Sequence, residues 1–93
     1  MEINWDNRFR RSLKKLINKN PEIESKIIDV LISLSFDPFS LSLKSHKLTG
    51  SLDGLWSCSV AYDCRIIFTF VKDEKSAESM IILLDIGSHE DVY

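Results

Sequence analysis

The sequence is poor in the residues that cross-link or sharply bend small domains, with three glycines, two prolines and two cysteines in 93 residues. Cys58 and Cys64 are too few for a disulfide framework and too close together for a zinc site, so we expect reduced, partly buried thiols on neighbouring strands. No glycine-rich phosphate loop, paired-cysteine motif or Gly-x-Ser-x-Gly elbow is present. We therefore expect neither a metal nor a cofactor.

Long apolar stretches are also missing. No run approaches the ~20 residues of a membrane span, and the first residues, "MEINWDNRFRR", lack the apolar core of a signal peptide. A chain of this length has room for one hydrophobic core. We expect a single domain over residues 1–93, located in the cytoplasm and without membrane contact.

Charge is small in total and uneven along the chain. The net charge is −2, but residues 1–50 carry nine Lys and Arg against six Asp and Glu, and residues 51–93 carry three against eight. Six of the basic residues fall in one short segment: Arg8, Arg10, Arg11, Lys14, Lys15 and Lys19. The cluster is either a patch for phosphate groups or a solvated helix face.

Apolar periodicity predicts two helices, followed by strands. Residues 6–19 form an amphipathic helix with Asp6 as its N-cap, and a second helix runs from Pro21 to about Ser35. The two should pack as an antiparallel hairpin. The segment 37–54 breaks the helical period and is expected to be an extended connection, and connections of that length are often functional.

The pattern in the second half of the chain predicts β structure. Residues 55–61, 64–72 and 80–87 predict a hairpin with a tight turn and a third, central strand, and residues 1–4 offer a short edge strand. In residues 64–72, period-two alternation separates an apolar face for the helices (Cys64, Ile66, Phe68, Phe70) from a mixed face (Arg65, Ile67, Thr69, Val71). The predicted fold class is α+β: a helical hairpin on one face of a small antiparallel sheet, in the order β-α-α-β-β-β, with the opposite face open.

The polar residues around this sheet include the components of a metal-free ribonuclease. They are Lys44, His46 and Lys47 in the long connection, Arg65 in a strand, and His89 and Tyr93 at the end of the chain. RNA carries its own nucleophile, the 2′-hydroxyl, so cleavage needs a base, an acid and a cation for the phosphorane. The same set fits a plain phosphate-binding surface.

Each of these residues also has a structural interpretation. His46 can be a loop histidine without a role, Arg65 can pair with Asp85 or Asp63, and the residues after Gly87 can form a loose tail. If the last strand continues past Gly87, His89 is in phase with Asp85 and lies on the open face with Arg65.

Two segments resemble a known toxin family. "SHKLTGSLDGLWSCSVAYDCRIIF", residues 45–68, and the ending "LLDIGSHEDVY" resemble the RelE/ParE superfamily of bacterial type II toxins, in particular its YafQ-like branch. The resemblance covers nearly the whole chain. It implies a RelE-like fold and an endoribonuclease that cuts mRNA, usually on the ribosome, and that a protein antitoxin holds inactive.

The resemblance also implies roles for individual residues. Arg65 stands where the family has its phosphate-stabilising arginine, and His89 matches the C-terminal histidine that acts as general acid or base. His46 matches a loop histidine near the active site, Asp63 an acidic residue beside the hairpin turn, and Tyr93 a catalytic tyrosine of RelE. The expected RNA-binding residues are Lys44, Lys47, Arg10, Arg11, Lys14 and Lys15, and the exposed sheet face and first helix are expected to accept the antitoxin.

Two positions depart from the family pattern. Ser59 stands where YafQ-like toxins carry a further histidine, and Asp85 stands where they carry an arginine. The chain is also acidic overall. Two other functions therefore stay open: a non-catalytic toxin that binds DNA gyrase, as in the ParE branch, and a catalytically weakened RelE-fold protein that retains antitoxin binding.

Overall fold

A computed structural model describes residues 1–93, apart from the side chain of Asp91. The elements in chain order are β1 (Ile3–Trp5), α1 (Asn7–Lys19), α2 (Glu24–Phe36), β2 (His46–Lys47), β3 (Trp56–Ala61), β4 (Cys64–Lys72), β5 (Ser79–Gly87) and the short α3 (His89–Val92). The strands form one sheet in the order β1-β5-β4-β3-β2. Within the described residues, no helix is both long and apolar enough to cross a bilayer.

The predicted α+β class is confirmed, with one difference in strand direction. β2, β3, β4 and β5 are antiparallel to their neighbours, but β1 runs parallel to β5, so the sheet is mixed. No hairpin joins β1 to β5, because nearly the whole chain lies between them. The direction of β1 is set instead by α1, which follows it at once and packs against β5. β5 therefore has a strand on each side, as its apolar sequence predicts.

Helix α1 begins and ends close to where the sequence predicts. The Asp6 carboxylate accepts a hydrogen bond from the Arg8 backbone N–H at 3.3 Å and caps the helix. Phe9 is fully buried, and Leu13, Leu16 and Ile17 pack against the same core. The apolar stripe thus fixes the side of α1 that faces the sheet, and its basic residues lie on the remaining surface.

Helix α2 is preceded by a 3₁₀ turn at Pro21–Ile23 and buries Ile27, Val30 and Leu34 against the sheet. Its opposite side is unusual for a surface helix. Ile28, Ile32 and Phe36 follow one another at four-residue spacing and are 50%, 52% and 86% exposed. We call these three residues the α2 stripe.

The connection after α2 is more ordered than the sequence predicts. It contains 3₁₀ turns at Leu41–Leu43 and Gly50–Leu52, and between them the two-residue strand β2 pairs with β3. Leu43 is buried in the core. The expectation of an extended connection was wrong because β3 offers its outer edge to this segment, and backbone pairing there satisfies groups that a loop would leave to water.

The alternation along β4 divides the sheet as predicted. Cys64, Ile66 and Phe68 are buried against the helices, and Arg65 lies on the other face. That other face is only partly open, because α3 packs against β4 and β5. Ile67 on this face is 4% exposed. The chain's own C-terminal segment therefore covers part of the surface that was expected to be free.

Asp85 ties α1 to β5. β5 contains an irregularity, in which Ile67 pairs with Asp85 and Phe68 with Leu83. The Asp85 carboxylate accepts hydrogen bonds from the Ser12 hydroxyl at 2.6 Å and the Ile86 backbone N–H at 2.9 Å. Its second oxygen lies 3.1 Å from Arg8 Nε. A pairing of Arg65 with Asp85 is therefore wrong, and β5 does not continue to carry His89 in phase with Asp85, because the strand ends at Gly87.

We expect Asp85→Ala to lower the free energy of unfolding by about 1–3 kcal/mol, because a buried acceptor disappears and Ser12 loses its partner. Asp85→Asn keeps an acceptor and should cost less. Arg8→Ala should cost below about 1 kcal/mol, since the Arg8 side chain is 67% exposed. Urea unfolding measures the free energy of unfolding of the three variants. An equal loss of this free energy in Arg8→Ala and Asp85→Ala would contradict the prediction.

Both cysteines are free and buried. Burial raises the pKa of Cys58 from 9.0 to about 12, and burial, followed by the nearby Asp63 charge, raises the pKa of Cys64 from 9.0 to about 11. The reactive form of a thiol is its thiolate, so both cysteines react slowly near neutral pH. The expectation of reduced thiols on neighbouring strands agrees with their positions in β3 and β4.

These pKa values predict slow thiol labelling. At pH 8 the thiolate fraction falls about 100-fold for Cys64 and about 1,000-fold for Cys58 relative to an unfolded thiol. Ellman's reagent should therefore label the native protein at least 100-fold more slowly than the protein in guanidinium chloride. Because both folded-state pKa values exceed the unfolded value, the thiols' contribution to stability is complete below pH 9 and is lost as pH rises towards 11–12. Rapid native labelling at pH 8 would refute the burial of these groups.

Candidate active site

Two cross-strand rows define the polar face of the sheet. His46 of β2 lies opposite Ser57 of β3, and Ser57 lies opposite Ile67 of β4. One step along, Ser59 lies opposite Arg65, and Arg65 lies opposite Gly87. Side chains directly opposite one another in antiparallel strands point to the same face. The sheet therefore brings His46 and Arg65, which are 19 positions apart in the sequence, to adjacent rows of one face.

His46 is held by the backbone of the residue two before it. Its Nδ1 lies 3.2 Å from the carbonyl oxygen of Lys44. A carbonyl oxygen only accepts hydrogen bonds, so this contact requires the proton on Nδ1 and leaves the Nε2 lone pair free in the neutral ring. Lys44 itself adopts a left-handed backbone conformation with φ of 51°, which is uncommon for a residue with a side chain and is often found at functional sites.

The end of the chain is anchored to the same face. The Tyr93 hydroxyl donates a hydrogen bond to Ser57 Oγ at 2.5 Å. The Tyr93 ring meets the His89 ring edge to face, with centroids 4.4 Å apart and an angle of 82°. Since Ser57 lies directly opposite His46, these two contacts connect His89 through Tyr93 to the row that contains His46. Residues 89–93 are thus an ordered part of the candidate site and not a loose tail.

Asp63 holds the beginning of α3. It lies in the turn between β3 and β4, and its Oδ1 accepts a hydrogen bond from the His89 backbone N–H at 3.3 Å. The contact fixes His89 next to the hairpin turn, close to the start of β4. Asp63 therefore positions the histidine, and the alternative in which Asp63 pairs with Arg65 is wrong.

Arg65 is half-buried. Among the side chains that the structure describes, it takes part in no ion pair. The carboxylates that the sequence offered as partners are occupied, Asp85 by Arg8 and Ser12, and Asp63 by the backbone of His89. A half-buried guanidinium without a carboxylate is suited to bind an external anion, and its planar fork matches a phosphate.

The expected RNA-binding residues divide into two groups. Lys47 lies opposite Trp56, and its ammonium stands over the Trp56 ring at 5.6 Å. Arg10 donates to the Trp5 carbonyl and stands over the Trp5 ring at 5.8 Å. Both cations are held against aromatic rings, and Lys47 lies on the face opposite to His46. Arg11, Lys14 and Lys15 line a surface cleft of α1 together with Arg8.

A second cleft lies between α1 and the end of β5. Lys15, Lys19 and Arg8 line it together with Asp85 and Gly87 of β5. Gly87 lies opposite Arg65 in the pairing of β5 with β4, so the cleft reaches the end of β5 that pairs with the start of β4. Of the α1 residues expected to bind RNA, Lys15 lines this cleft as well as the first one.

Sequence reasoning missed Ser57 and Arg8. Ser57 is fully buried, and a buried hydroxyl in a strand requires a hydrogen-bond partner. That requirement was the available signal, although it did not identify Tyr93 as the partner. Arg8 appeared only as one of six basic residues, and nothing in the helical pattern distinguished it from its neighbours.

Comparison with solved structures shows the same fold in bacterial toxins. YafQ from E. coli strain BL21(DE3) superimposes with a TM-score of 0.79 at 18% identity, covering 99% of this chain and 97% of that chain. A YoeB/ParE toxin from Agrobacterium tumefaciens gives 0.77 at 18% identity, with coverage of 96% and 99%. The E. coli DinJ–YafQ toxin–antitoxin complex gives 0.76 at 19% identity, with coverage of 99% and 96%. No curated protein matches the sequence.

The sequence itself matches a family model over residues 1–93, described as bacterial toxin of type II toxin-antitoxin system, YafQ. The resemblance found in residues 45–68 and in the ending of the chain is confirmed. The chain belongs to the YafQ family of bacterial type II toxin–antitoxin toxins.

Proposed function

We propose that this protein is a metal-independent endoribonuclease that cleaves mRNA. The observation that carries the proposal is the pair of contacts made by Tyr93, which ties the His89 ring to the row of His46 beside Arg65. Two histidines and an arginine that forms no ion pair among the described side chains supply a base, an acid and a cation for the phosphate. Nothing else is needed when the substrate provides its own 2′-hydroxyl nucleophile.

His46 is the general base in this proposal. Its Nδ1 proton is directed to the Lys44 carbonyl, so Nε2 takes the proton of the 2′-hydroxyl. The 2′-oxygen then attacks phosphorus, and the bond from phosphorus to the 5′-oxygen breaks. The products are a 2′,3′-cyclic phosphate and a 5′-hydroxyl end.

His89 is the general acid that gives a proton to the departing 5′-oxygen. Its ring is exposed and is oriented from two sides, by the Tyr93 ring and by the Asp63 contact to its backbone. Tyr93 and Asp63 are thus positioning residues, since the Tyr93 hydroxyl is directed to Ser57. Arg65 binds the non-bridging oxygens and stabilises the additional negative charge of the phosphorane.

The two departures from the family pattern have different consequences. Ser59 lies opposite Arg65 and brings a hydroxyl, which hydrogen-bonds weakly to the Ala61 carbonyl at 3.4 Å, in place of an imidazole. Asp85 forms an ion pair with Arg8 and accepts a hydrogen bond from Ser12, so its charge is directed to α1 and not to the phosphate. We infer that the site retains one acid, one base and one arginine. A catalytically weakened protein would need to lose one of these three.

A toxin that only binds DNA gyrase remains the competing function. That activity has no use for a histidine with a fixed tautomer or for a second histidine held by an aromatic ring. The ordered geometry of His46 and His89 therefore favours catalysis over binding alone.

We expect His46→Ala and His89→Ala each to lower the rate of RNA cleavage by about 10²–10⁴-fold, the usual contribution of a positioned acid or base. The measurement is primer extension on cellular mRNA after induction, together with cleavage of purified RNA in EDTA. His46→Asn is the matched control for folding, because its amide N–H can still reach the Lys44 carbonyl while Nε2 is absent. It should restore stability without restoring cleavage.

Two outcomes would refute the proposal. One is full growth arrest and mRNA cleavage by His89→Ala. The other is induction of the wild type that produces DNA breaks and an SOS response while mRNA stays intact, which would indicate the gyrase-binding function.

We also propose the ribosome as the place of mRNA cleavage, with the α1 cations contacting rRNA or mRNA phosphates.

We further propose that a protein antitoxin binds this toxin, by analogy with the YafQ that was solved with DinJ. The α2 stripe offers a surface that the sequence did not single out for the antitoxin. Apolar side chains at four-residue spacing match the apolar face of another amphipathic helix.

Replacement of Ile32 by Glu should weaken antitoxin binding at least tenfold, because it places a charge in the middle of the α2 stripe. The partner for the test is the product of the reading frame immediately upstream, and co-purification with titration calorimetry measures the affinity. Lys72→Glu, a charge change on the far end of β4, is the control. Unchanged binding of Ile32→Glu would exclude the α2 stripe as the antitoxin surface.

A further inference from the structure

A cleft of about 700 Å³ lies between α2 and the outer edge of β3, beside the candidate active site. We call it the α2–β3 cleft. Three cations from separate elements line it, Lys26 of α2, Lys44 of the connection and Arg65 of β4, with one carboxylate, Asp29. The described side chains form no ion pair among these four groups. The cleft is therefore cationic, with three positive charges against one negative charge.

The polar lining of this cleft suits a hydrated, anionic ligand. Ser33, Ser42 and Ser59 contribute hydroxyls around the three cations. An apolar peptide would have to remove water from all of these groups, which is costly without matching partners. Phosphate oxygens accept hydrogen bonds from both hydroxyls and ammonium groups.

Two residues belong to both the cleft and the active site. Arg65, which holds the scissile phosphate in the proposed reaction, also lines the cleft. The Lys44 carbonyl faces His46 Nδ1, and Lys44 also lines the cleft. A chain held in the cleft would therefore be directed at the base and the arginine.

The outer edge of β3 is open between the polar face of the sheet and the α2–β3 cleft. β2 pairs with β3 only at Trp56 and Ser57, so the outer edge of β3 beyond Ser57 carries no neighbouring strand in the sheet. Ser59 and Ala61 in this part of the edge line the cleft. A single-stranded nucleic acid that crosses the polar face next to Arg65 can continue over this edge into the cleft without displacing any element of the fold.

We propose that the α2–β3 cleft is a subsite for the RNA phosphate adjacent to the scissile one, with Lys26 as its main contact. The inference rests on the proposed RNA substrate and adds to it a residue of α2 that the sequence did not single out. Asp29, three positions after Lys26 on α2, repels the same phosphate and limits the affinity of the subsite.

Binding of a non-cleavable RNA tests the subsite separately from catalysis. The probe is a mixed-sequence single-stranded RNA with 2′-O-methyl groups throughout, which removes the nucleophile. Its affinity for the full chain is measured by fluorescence anisotropy at several salt concentrations. Lys26→Ala should weaken binding about three- to tenfold and make the salt dependence shallower by about 0.7, the contribution of one phosphate contact on a single strand. Asp29→Asn should strengthen binding.

Lys75→Ala is the matched control. It removes the same charge from the turn between β4 and β5, at the end of β4 opposite to Arg65 and more than about 20 Å away along the strand. It should leave both the affinity and the salt dependence unchanged.

The outcomes separate the two proposals. Unchanged RNA affinity and salt dependence in Lys26→Ala, or no binding of the RNA by the wild type, would overturn the subsite. If the wild type cleaves RNA while Lys26→Ala binds normally, only the subsite fails. If binding depends on Lys26 but induction of the wild type leaves cellular mRNA intact, the phosphate contact of Lys26 stands and the proposed endoribonuclease function fails.

Discussion

The middle strand of the sheet, β4, carries apolar side chains at every second position, and their burial determines where everything else in the molecule lies. Phe68 and Ile66 are completely buried against the helices. Because successive side chains point to opposite faces, the burial of these residues forces Arg65 to the other face. The hydrophobic effect on one side thus places the charged group on the other. A slip of one residue would bury Arg65 in the core, so the register is strongly fixed.

Pairing with β4 also decides which side chains of the neighbouring strands point to the apolar face and which to the polar face. Ser57 and Ser59 of β3 lie on the polar face because they pair with Ile67 and Arg65 of β4. His46 of β2 lies on the same face because it pairs with Ser57. Two hydrogen bonds described above hold the last residues of the chain on this face, one from Tyr93 to the buried Ser57 and one from the His89 backbone to Asp63. A buried hydroxyl without a partner would be costly, so the same bond that satisfies Ser57 also holds the segment of His89 in place.

Among the described side chains Arg65 forms no ion pair, and the carboxylates nearest to it in the sequence pattern have other partners. Asp85 is satisfied from α1 by Arg8 and Ser12, and Asp63 is used by the backbone of α3. Lys47 and Arg10 are held over aromatic rings. Among the described side chains, the cations that form no ion pair include Lys15 and Lys19 in the cleft beside Gly87, and Lys26, Lys44 and Arg65 in the α2–β3 cleft. This distribution explains how a chain with a net charge of −2 can present a cationic surface.

The sequence by itself determined α1, α2, β1, β3, β4 and β5, their order and the two faces of the sheet, because periodicity of apolar residues is a local signal that burial turns into structure. It also identified His46, Arg65 and His89 as the candidate groups. It did not determine that β1 runs parallel to β5, that the connection contains β2, or that Asp85 binds Arg8. Those features depend on contacts between segments far apart in the chain: Asp85 and Ser12 are separated by 73 positions, and Tyr93 and Ser57 by 36. Only the tertiary structure decides such pairs, since the free energy of each contact depends on which groups burial has brought together and which partners remain unsatisfied.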